Sequence, residues 1–268
     1  WTTTPWTLPS NMALAVGREV DYVRVTLADG EQLILAKALV QQVFKKREDE
    51  IATVDEQPVD ELLQLRYEPL FSYFADKDKE GAFRVVAADF VSTEDGTGIV
   101  HIAPGFGEDD YQLGLREGLP VISPIDEDCH FTSEVSDYQG SFVKDVDRDI
   151  IRALRESGQL FSESTIEHSY PFCWRCDTPL IYRTISTWFV NVEQIKQRML
   201  AANAQVWWVP EHIKDGRFGL WLEGARDWAI SRNRYWGTPL PIWRNEETGE
   251  TVCIGSREEL VGLCGREV

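Results

Sequence analysis

The sequence predicts an α+β fold, with a strand-rich unit over residues 1–165 carrying peripheral helices and a smaller, Trp-rich mixed α/β unit over 166–268. Three observations carry this reading. Of the 268 residues, 43% are hydrophobic and 27% charged, a mixture that builds cores and does not suit a disordered chain. The charge is unevenly spread: residues 1–165 hold 15 Lys and Arg against 32 Asp and Glu, whereas 166–268 hold 12 against 13, and eight of the ten Trp fall in the second part. Apolar periodicity in the first part alternates between the two-residue repeat of strands and the 3.6-residue repeat of helices.

Taken in order, Tyr22–Leu27 alternates Val23, Val25 and Leu27 with polar neighbours, Asp29-Gly30 supplies a turn, and 32–35 returns, which predicts a hairpin. Residues 36–46 carry Leu39, Val40, Val43 and Phe44 at helical spacing. Stretches 82–91 and 98–103 are apolar and strand-like. Residues 107–117 predict a helix whose first turn holds Glu108, Asp109 and Asp110, acids that suit the positive end of a helix dipole. Asp147–Glu156 predicts a short amphipathic helix ended by Gly158. In the second unit, 180–183 reads as a strand and about 192–202 as a helix, while Pro210, Pro239 and Pro241 break the Trp-rich connections.

Composition excludes several functions. A net charge of −18 and a pI near 4.6 do not suit a protein that coats nucleic acid by neutralising phosphates with Lys and Arg, although they leave room for recognition of one nucleic-acid end. No apolar run reaches the roughly 20 residues of a membrane span, so no membrane partner is expected. Five cysteines, an odd count with two in a CxxC, fit a reducing, cytoplasmic setting and metal chemistry better than a disulfide framework.

Four motifs carry chemistry. WTTTPWTLP opens the chain and sets the hydroxyls of Thr2, Thr3, Thr4 and Thr7 within its first seven residues, beside Trp1 and Trp6; the two prolines predict an extended segment. Such a strip suits the hydroxyls and carbonyl of a small polar ligand, and equally suits an edge strand. GTGIVHIAPGFGEDDY runs from a buried strand holding His101 through a Gly-rich turn to the three carboxylates, which suit a metal, a cationic amine or simply the helix dipole. HSYPFCWRC places Cys173 and Cys176 as half of a zinc knuckle, with His168 or a lone cysteine to complete it or ligands from elsewhere. DWAISRNRYWGTPLPIW sets Arg232 and Arg234 among four aromatics, a pattern for base or phosphate contact and also for a packed interface.

In this order the four motifs closely resemble the isoleucyl-tRNA synthetase family, over nearly the whole chain and more weakly over 246–268. The wording of the first motif favours the isoleucyl branch over the valyl and leucyl branches, which typically read Thr-Thr-Arg-Pro there. The HIGH-type and KMSKS-type signatures do not occur, so the resemblance implies a piece of a synthetase: the barrel-like inserted editing domain over 1–165 and, over 166–268, part of the return into the aminoacylation domain. It implies hydrolysis of the ester that joins a wrong amino acid, chiefly valine, to the acceptor end of the isoleucine tRNA. The implied partners are that tRNA end and the remainder of the synthetase. A tRNA-end binding module without activity of its own is the alternative reading, and a valyl- or leucyl-type editor is another.

The resemblance also implies roles. Asp110 would hold the substrate's α-ammonium; Thr2, Thr3, Thr4 and Thr7 would bind the ribose and ester and place the attacking water; His101 and Trp6 would bound the side-chain pocket. Phe106 sits where many bacterial relatives carry His, which argues against a general base at the turn. Cys173 and Cys176 would supply half of a structural zinc site whose partner ligands lie outside this chain. Editing itself would need no cofactor, with ATP and magnesium used only by the complete synthetase.

Overall fold

The computed structural model describes residues 1–45, 47–165, 169–232 and 239–266. The chain divides into two units, Trp1–Thr184 and Ile185–Val268, and the α+β class read from the sequence is the class observed.

In the first unit, strand β1 (Ala13–Val16), the hairpin strands β2 (Tyr22–Leu27) and β3 (Gln32–Ala36) and the short helix α1 (Val40–Val43) lead to β4 (Ile51–Gln57) and the single-turn α2 (Val59–Leu62). They are followed by β5 (Arg84–Ala87), β6 (Ile99–Ile102), α3 (Glu108–Glu117) and α4 (Asp147–Glu156). Among the described residues these strands form two three-stranded sheets. In one, β1 lies between a parallel β5 and an antiparallel β6, with Leu14 opposite His101. In the other, β2 is flanked by antiparallel β3 and β4.

Three hydrogen bonds help join the sheets. The buried Tyr22 hydroxyl accepts the Gly17 N–H at 2.9 Å and donates to the Gly98 carbonyl at 2.7 Å, and the Ala36 N–H donates to the Thr97 carbonyl at 2.8 Å. The small side chains Ala13 and Ala15 let α3 lay Leu113 onto the first sheet beside Val86 and Ile102. A second core gathers Trp6, Met12, Phe83, Phe131 and Val135 around α4, which buries Ile150 and Leu154. Truncating a fully buried side chain such as Ile150 to Ala costs about 2–5 kcal/mol, so α4 is fastened chiefly by its apolar face.

The structure corrects several sequence expectations. The Thr- and Pro-rich opening is not extended throughout: Pro5–Ser10 forms a 3₁₀ helix. Pro5 supplies a helical φ and no donor at its first position, and Thr4 accepts from both the backbone and the side chain of Thr7. The helix read at 36–46 is a 3₁₀ turn, Lys37–Leu39, followed by the single turn α1, with Lys46 outside the described residues. The strand read at 82–91 narrows to β5. Residues 180–183 form no strand; an isolated bridge between Phe172 and Pro179 is the pairing there.

The division between units lies later than the compositional boundary between residues 165 and 166. Residues up to Thr184 belong with the first unit because they bond to it: the Thr184 N–H donates to the Gly105 carbonyl at 2.8 Å, Arg183 reaches the Asp126 carbonyl at 2.7 Å, and the Lys144 ammonium sits 4.6 Å from the Tyr170 ring centre. Charge composition registers solvent-facing residues, whereas this stretch is fixed by individual contacts, one backbone hydrogen bond, one Arg-to-carbonyl bond and one cation–ring contact, that leave no compositional trace.

In the second unit, β7 (Phe189–Val190) precedes α5 (Val192–Gln205) and α6 (Arg217–Glu223); β8 (Trp228–Ala229) pairs back antiparallel onto β7. The hairpin β9 (Ile242–Arg244) and β10 (Thr251–Cys253) then leads to α7 (Arg257–Cys264). Asn191 caps α5 and Ser256 caps α7, each accepting the N–H three residues on, the use for which short polar side chains are favoured before helices. Asn203 anchors the Trp-rich connection by accepting from Trp208 Nε1 at 2.8 Å and donating to the Lys214 carbonyl at 3.0 Å.

Candidate active site

A cleft of about 540 Å³ opens in the first unit where the opening segment, β6 and the start of α3 meet. Its lining includes Thr2, Thr3, Thr4, Trp6, Thr7, His101 and Asp110, so the residues drawn from two separate motifs share one cavity. Trp1, Phe90, Phe106, Tyr170 and Tyr182 add aromatic walls. The size falls within the range of small-molecule sites.

The turn after β6 shapes one wall. A Cβ on Gly105 would lie 2.0 Å from the Ile122 carbonyl oxygen, so only glycine allows the two backbones to meet. Asp110 is the third residue of α3, and its side chain turns back: Oδ2 accepts the Ala103 N–H at 2.8 Å. Gly107 leaves room for that turn, since a Cβ there would come within 2.9 Å of the Asp110 Cγ. Glu108 and Asp109 remain exposed on the helix surface. Of the three acids, then, one is aimed at the cleft and two serve the helix end.

Burial raises the Asp110 carboxyl to about 6, with the Asp109 charge adding to the rise and the Ala103 N–H opposing it. The other carboxylate oxygen, Oδ1, has no protein partner among the described residues. At neutral pH it is a fixed, partly desolvated anion with one open face, suited to a cation that brings its own N–H donors.

The opposite wall is the Thr-rich segment. Trp1 runs beside β6, its carbonyl accepting the His101 N–H at 3.2 Å. The four hydroxyls divide by role. Thr7 Oγ1 donates to the Thr4 carbonyl at 2.8 Å and lies 3.0 Å from His101 Nε2; Thr2 Oγ1 accepts the Thr4 N–H at 3.0 Å. Thr3 and Thr4 hydroxyls make no protein hydrogen bond among the described residues and line the cleft. Thr7 therefore holds the segment together, while the Thr3 and Thr4 hydroxyls are left open at the cleft.

His101 is buried, and burial lowers its pKa to about 3, so the ring is neutral at ordinary pH. Both ring nitrogens are engaged, Nε2 with Thr7 and Nδ1 with the Asn11 amide nitrogen at 2.7 Å. A ring with no spare nitrogen is a wall and not a proton acceptor for a ligand. Trp6 stands beside it, its backbone N–H donating to Asp147 Oδ1 at 2.9 Å and its ring meeting Phe106 edge-on at 4.8 Å between centres. The indole Nε1 is buried without a partner among the described residues. Asn11, Tyr67 and Phe106 were not marked as site residues by the sequence. Asn11 lies two residues beyond the first motif, and Tyr67 reaches it from 56 positions away with no local signal.

Cys173 and Cys176 occupy a tight turn, in which the Cys173 N–H donates to the Thr178 carbonyl and the Asp177 N–H to the Cys173 carbonyl, each at 2.8 Å. Cys176 Sγ lies 3.0 Å from Thr178 Oγ1. No cluster of three or more His, Cys, Asp or Glu side chains suited to a metal occurs among the described residues, which exclude His168. In the fourth motif Asp227 accepts the Glu193 N–H at 3.0 Å and Arg232 donates to the carbonyls of Ala229 and Ser231 at 2.8 Å; Arg234 and its aromatic neighbours lie outside the described residues. No helix among the described residues is long and apolar enough to cross a membrane.

Residues 3–267 match the family described as tRNA synthetases class I (I, L, M and V), and the chain belongs to that family. Within it, the chain is 58% identical over 269 residues to an isoleucine–tRNA ligase of Bdellovibrio bacteriovorus, covering 100% of this chain and 25% of that protein. It is 54% identical over 279 residues to the isoleucine–tRNA ligase of Treponema denticola (99% and 25%) and 51% over 269 residues to that of Chlamydia pneumoniae (100% and 26%). The chain thus spans about a quarter of the length of the curated relatives it matches. A solved structure described as the crystal structure of GlLeuRS-CP1 aligns with a TM-score of 0.46 at 18% identity, covering 62% of this chain and 83% of that one.

Proposed function

We propose that the first unit is an editing hydrolase that removes valine from a mischarged isoleucine tRNA. The observation that carries this reading is that one cleft is lined by the open carboxylate of Asp110, by Thr3 and Thr4 with hydroxyls unbonded among the described residues, and by apolar side chains. The need for such a site is physical. One methylene in an apolar pocket discriminates by only about 1–3 kcal/mol, isoleucine against valine being the familiar example from this same enzyme class, so a second sieve that admits only the smaller side chain must follow.

Asp110 Oδ1 takes the α-ammonium of the esterified amino acid. Thr2, Thr3 and Thr4 bind the terminal ribose and the ester and hold a water against the carbonyl carbon. The water oxygen forms the new bond to that carbon, the bond from carbon to the ribose oxygen breaks, and the proton released ends on the ribose oxygen, giving free valine and uncharged tRNA. His101 is neutral with both nitrogens engaged and supplies no general base, so the rate comes from positioning and from hydroxyl dipoles aimed at the developing oxyanion. His101, Trp6 and Phe106 bound the side-chain pocket and exclude the extra methylene of isoleucine.

The acidity of the first unit fits a site that grips one ammonium and releases the tRNA; the remainder of the synthetase supplies most of the tRNA affinity, along with the ATP and magnesium chemistry, in the cytoplasm. Cys173 and Cys176 offer two thiolates of the four ligands that structural zinc takes, and the family likeness points to partner ligands outside this chain. The test of the main reading is deacylation of two charged forms of the isoleucine tRNA. Hydrolysis of the valyl ester with the isoleucyl ester spared supports it. Binding of the acceptor end without turnover of either at saturation overturns it in favour of a binding module.

A further inference from the structure

We propose that Tyr67 is a positioning residue of this cleft, acting on the Thr-rich wall through a one-way chain of hydrogen bonds that holds His101 in a single tautomer. The inference rests on the editing reading for its consequence, but its structural half stands on hydrogen-bond direction alone.

A phenol has one proton, and that of Tyr67 goes to Asn11 Oδ1 at 2.5 Å. The oxygen of the amide is thereby placed, and its nitrogen faces the Ala13 carbonyl at 3.0 Å and His101 Nδ1 at 2.7 Å. An amide nitrogen only donates, so Nδ1 is bare and the single proton of the neutral ring sits on Nε2. Nε2–H then donates to Thr7 Oγ1 at 3.0 Å, which leaves the Thr7 proton for the Thr4 carbonyl at 2.8 Å. Every donor in the series has one acceptor to go to, and the direction runs from Tyr67 to Thr4 without a break. Its far end is the backbone of the residue whose hydroxyl, with that of Thr3, faces the ligand space.

Two groups hold the Asn11 amide: the Ala13 carbonyl on the nitrogen side, which is backbone, and Tyr67 on the oxygen side, the only side chain among the described residues that bonds Oδ1. Tyr67 is itself fixed by its N–H to the Phe83 carbonyl at 3.0 Å and by an edge-on contact with the Phe83 ring. Tyr67→Phe keeps both of these and removes only the proton. The amide oxygen then loses its donor, the amide rocks on one anchor, and the opposite ring tautomer becomes accessible, with Thr7 turned to donate to His101 and released from Thr4.

The experiment uses the whole chain, uniformly ¹⁵N-labelled at histidine, and the Tyr67→Phe variant. In the free wild-type protein the His101 Nε2 signal is expected to be that of a protonated ring nitrogen and Nδ1 that of a bare one; the reverse assignment overturns the proposal without any variant. In Tyr67→Phe the two signals move towards each other, and kcat for the valyl ester falls about 5–10-fold with KM held within twofold. Unchanged nitrogen signals overturn the proposal whatever the rate does, and shifted signals with an unchanged kcat overturn its catalytic half. If the wild-type chain hydrolyses neither ester, the editing reading is what has failed, and the nitrogen signals still judge the hydrogen-bond chain.

Discussion

Asp110 is tied to Ala103 by a 2.8 Å hydrogen bond to one carboxylate oxygen, while its side chain lines a cleft shared with the Thr-rich opening segment. A carboxylate with a single anchor is oriented without being neutralised. That is the arrangement required of a group that must wait, ionised and partly desolvated, for a cation.

Replacing Asp110 by Ala is expected to lower deacylation of the valyl ester on the order of 100-fold, the equivalent of about 3 kcal/mol for a charge-assisted contact. Activity should also fall as pH drops through about 6, where the carboxyl gains a proton and loses the ammonium. Stability runs the other way. The folded state holds this proton more tightly than the ordinary carboxyl value of 3.8, so ionisation costs stability as pH rises from about 4 to about 6. Asp110→Asn, which keeps an acceptor for Ala103, should be more stable than the wild type at pH 7 by roughly 1–2 kcal/mol, and the gap should close below pH 4. Equal denaturation midpoints for the two at both pH values would contradict this.

His101 makes the opposite prediction. Its folded pKa, about 3, lies below the ordinary 6.5, so the unfolded chain takes up the proton first. The stability contributed by the neutral buried ring is full above pH 6.5 and drains away as pH falls towards 3. His101→Gln removes that titration. Between pH 6.5 and 4 the wild type should lose roughly 2–3 kcal/mol more than the variant, read from urea midpoints. Parallel losses would mean that the ring is not held neutral.

The Trp6–Phe106 pair predicts a change in selectivity. Phe106→Leu removes the edge-on contact and part of the wall volume, at a cost of about 1–2 kcal/mol in stability. The rate for the isoleucyl ester should rise relative to the valyl ester. A ratio that stays at the wild-type value would remove Phe106 from the size filter.

Zinc gives a composition test. With two cysteines on one turn and no third metal-suited side chain beside them among the described residues, the purified chain should carry less than one equivalent of tightly held zinc. Changing Cys173 and Cys176 to Ser should abolish what is bound while leaving thermal unfolding nearly unaltered. A full equivalent that survives chelation would show that the chain completes the site itself.

Several elements were legible because their signals are local. The β2–β3 hairpin follows from alternation and an Asp-Gly turn, and Gly30 there has the positive φ that such a turn requires. Helix α4 follows from its apolar stripe and matches its expected range. Strand β1, the centre of the first sheet, was not legible: four residues, Ala13–Val16, are too few for a period, and their pairing partners lie about 70 and 85 positions away. The opening segment misled because Thr and Pro are read as extended, while the hydroxyl of Thr7 bonding back to Thr4 favours a 3₁₀ turn.

The sequence alone determined the family likeness, the α+β class and the residue types that a site for an aminoacyl ester needs, because these rest on side-chain chemistry and short-range spacing. Tertiary structure decided which of them share the cleft. Spacing could not separate Asp110 from Glu108 and Asp109, since all three suit a helix start; the room left by Gly107 and the Ala103 N–H selected Asp110. Nor could it show that His101 has no nitrogen to spare, because Asn11, Thr7 and Tyr67 meet it only when β1, β6 and the 3₁₀ turn converge. Hydrogen-bond direction is a property of three-dimensional neighbours, and it turns a histidine that could have been a catalyst into a wall.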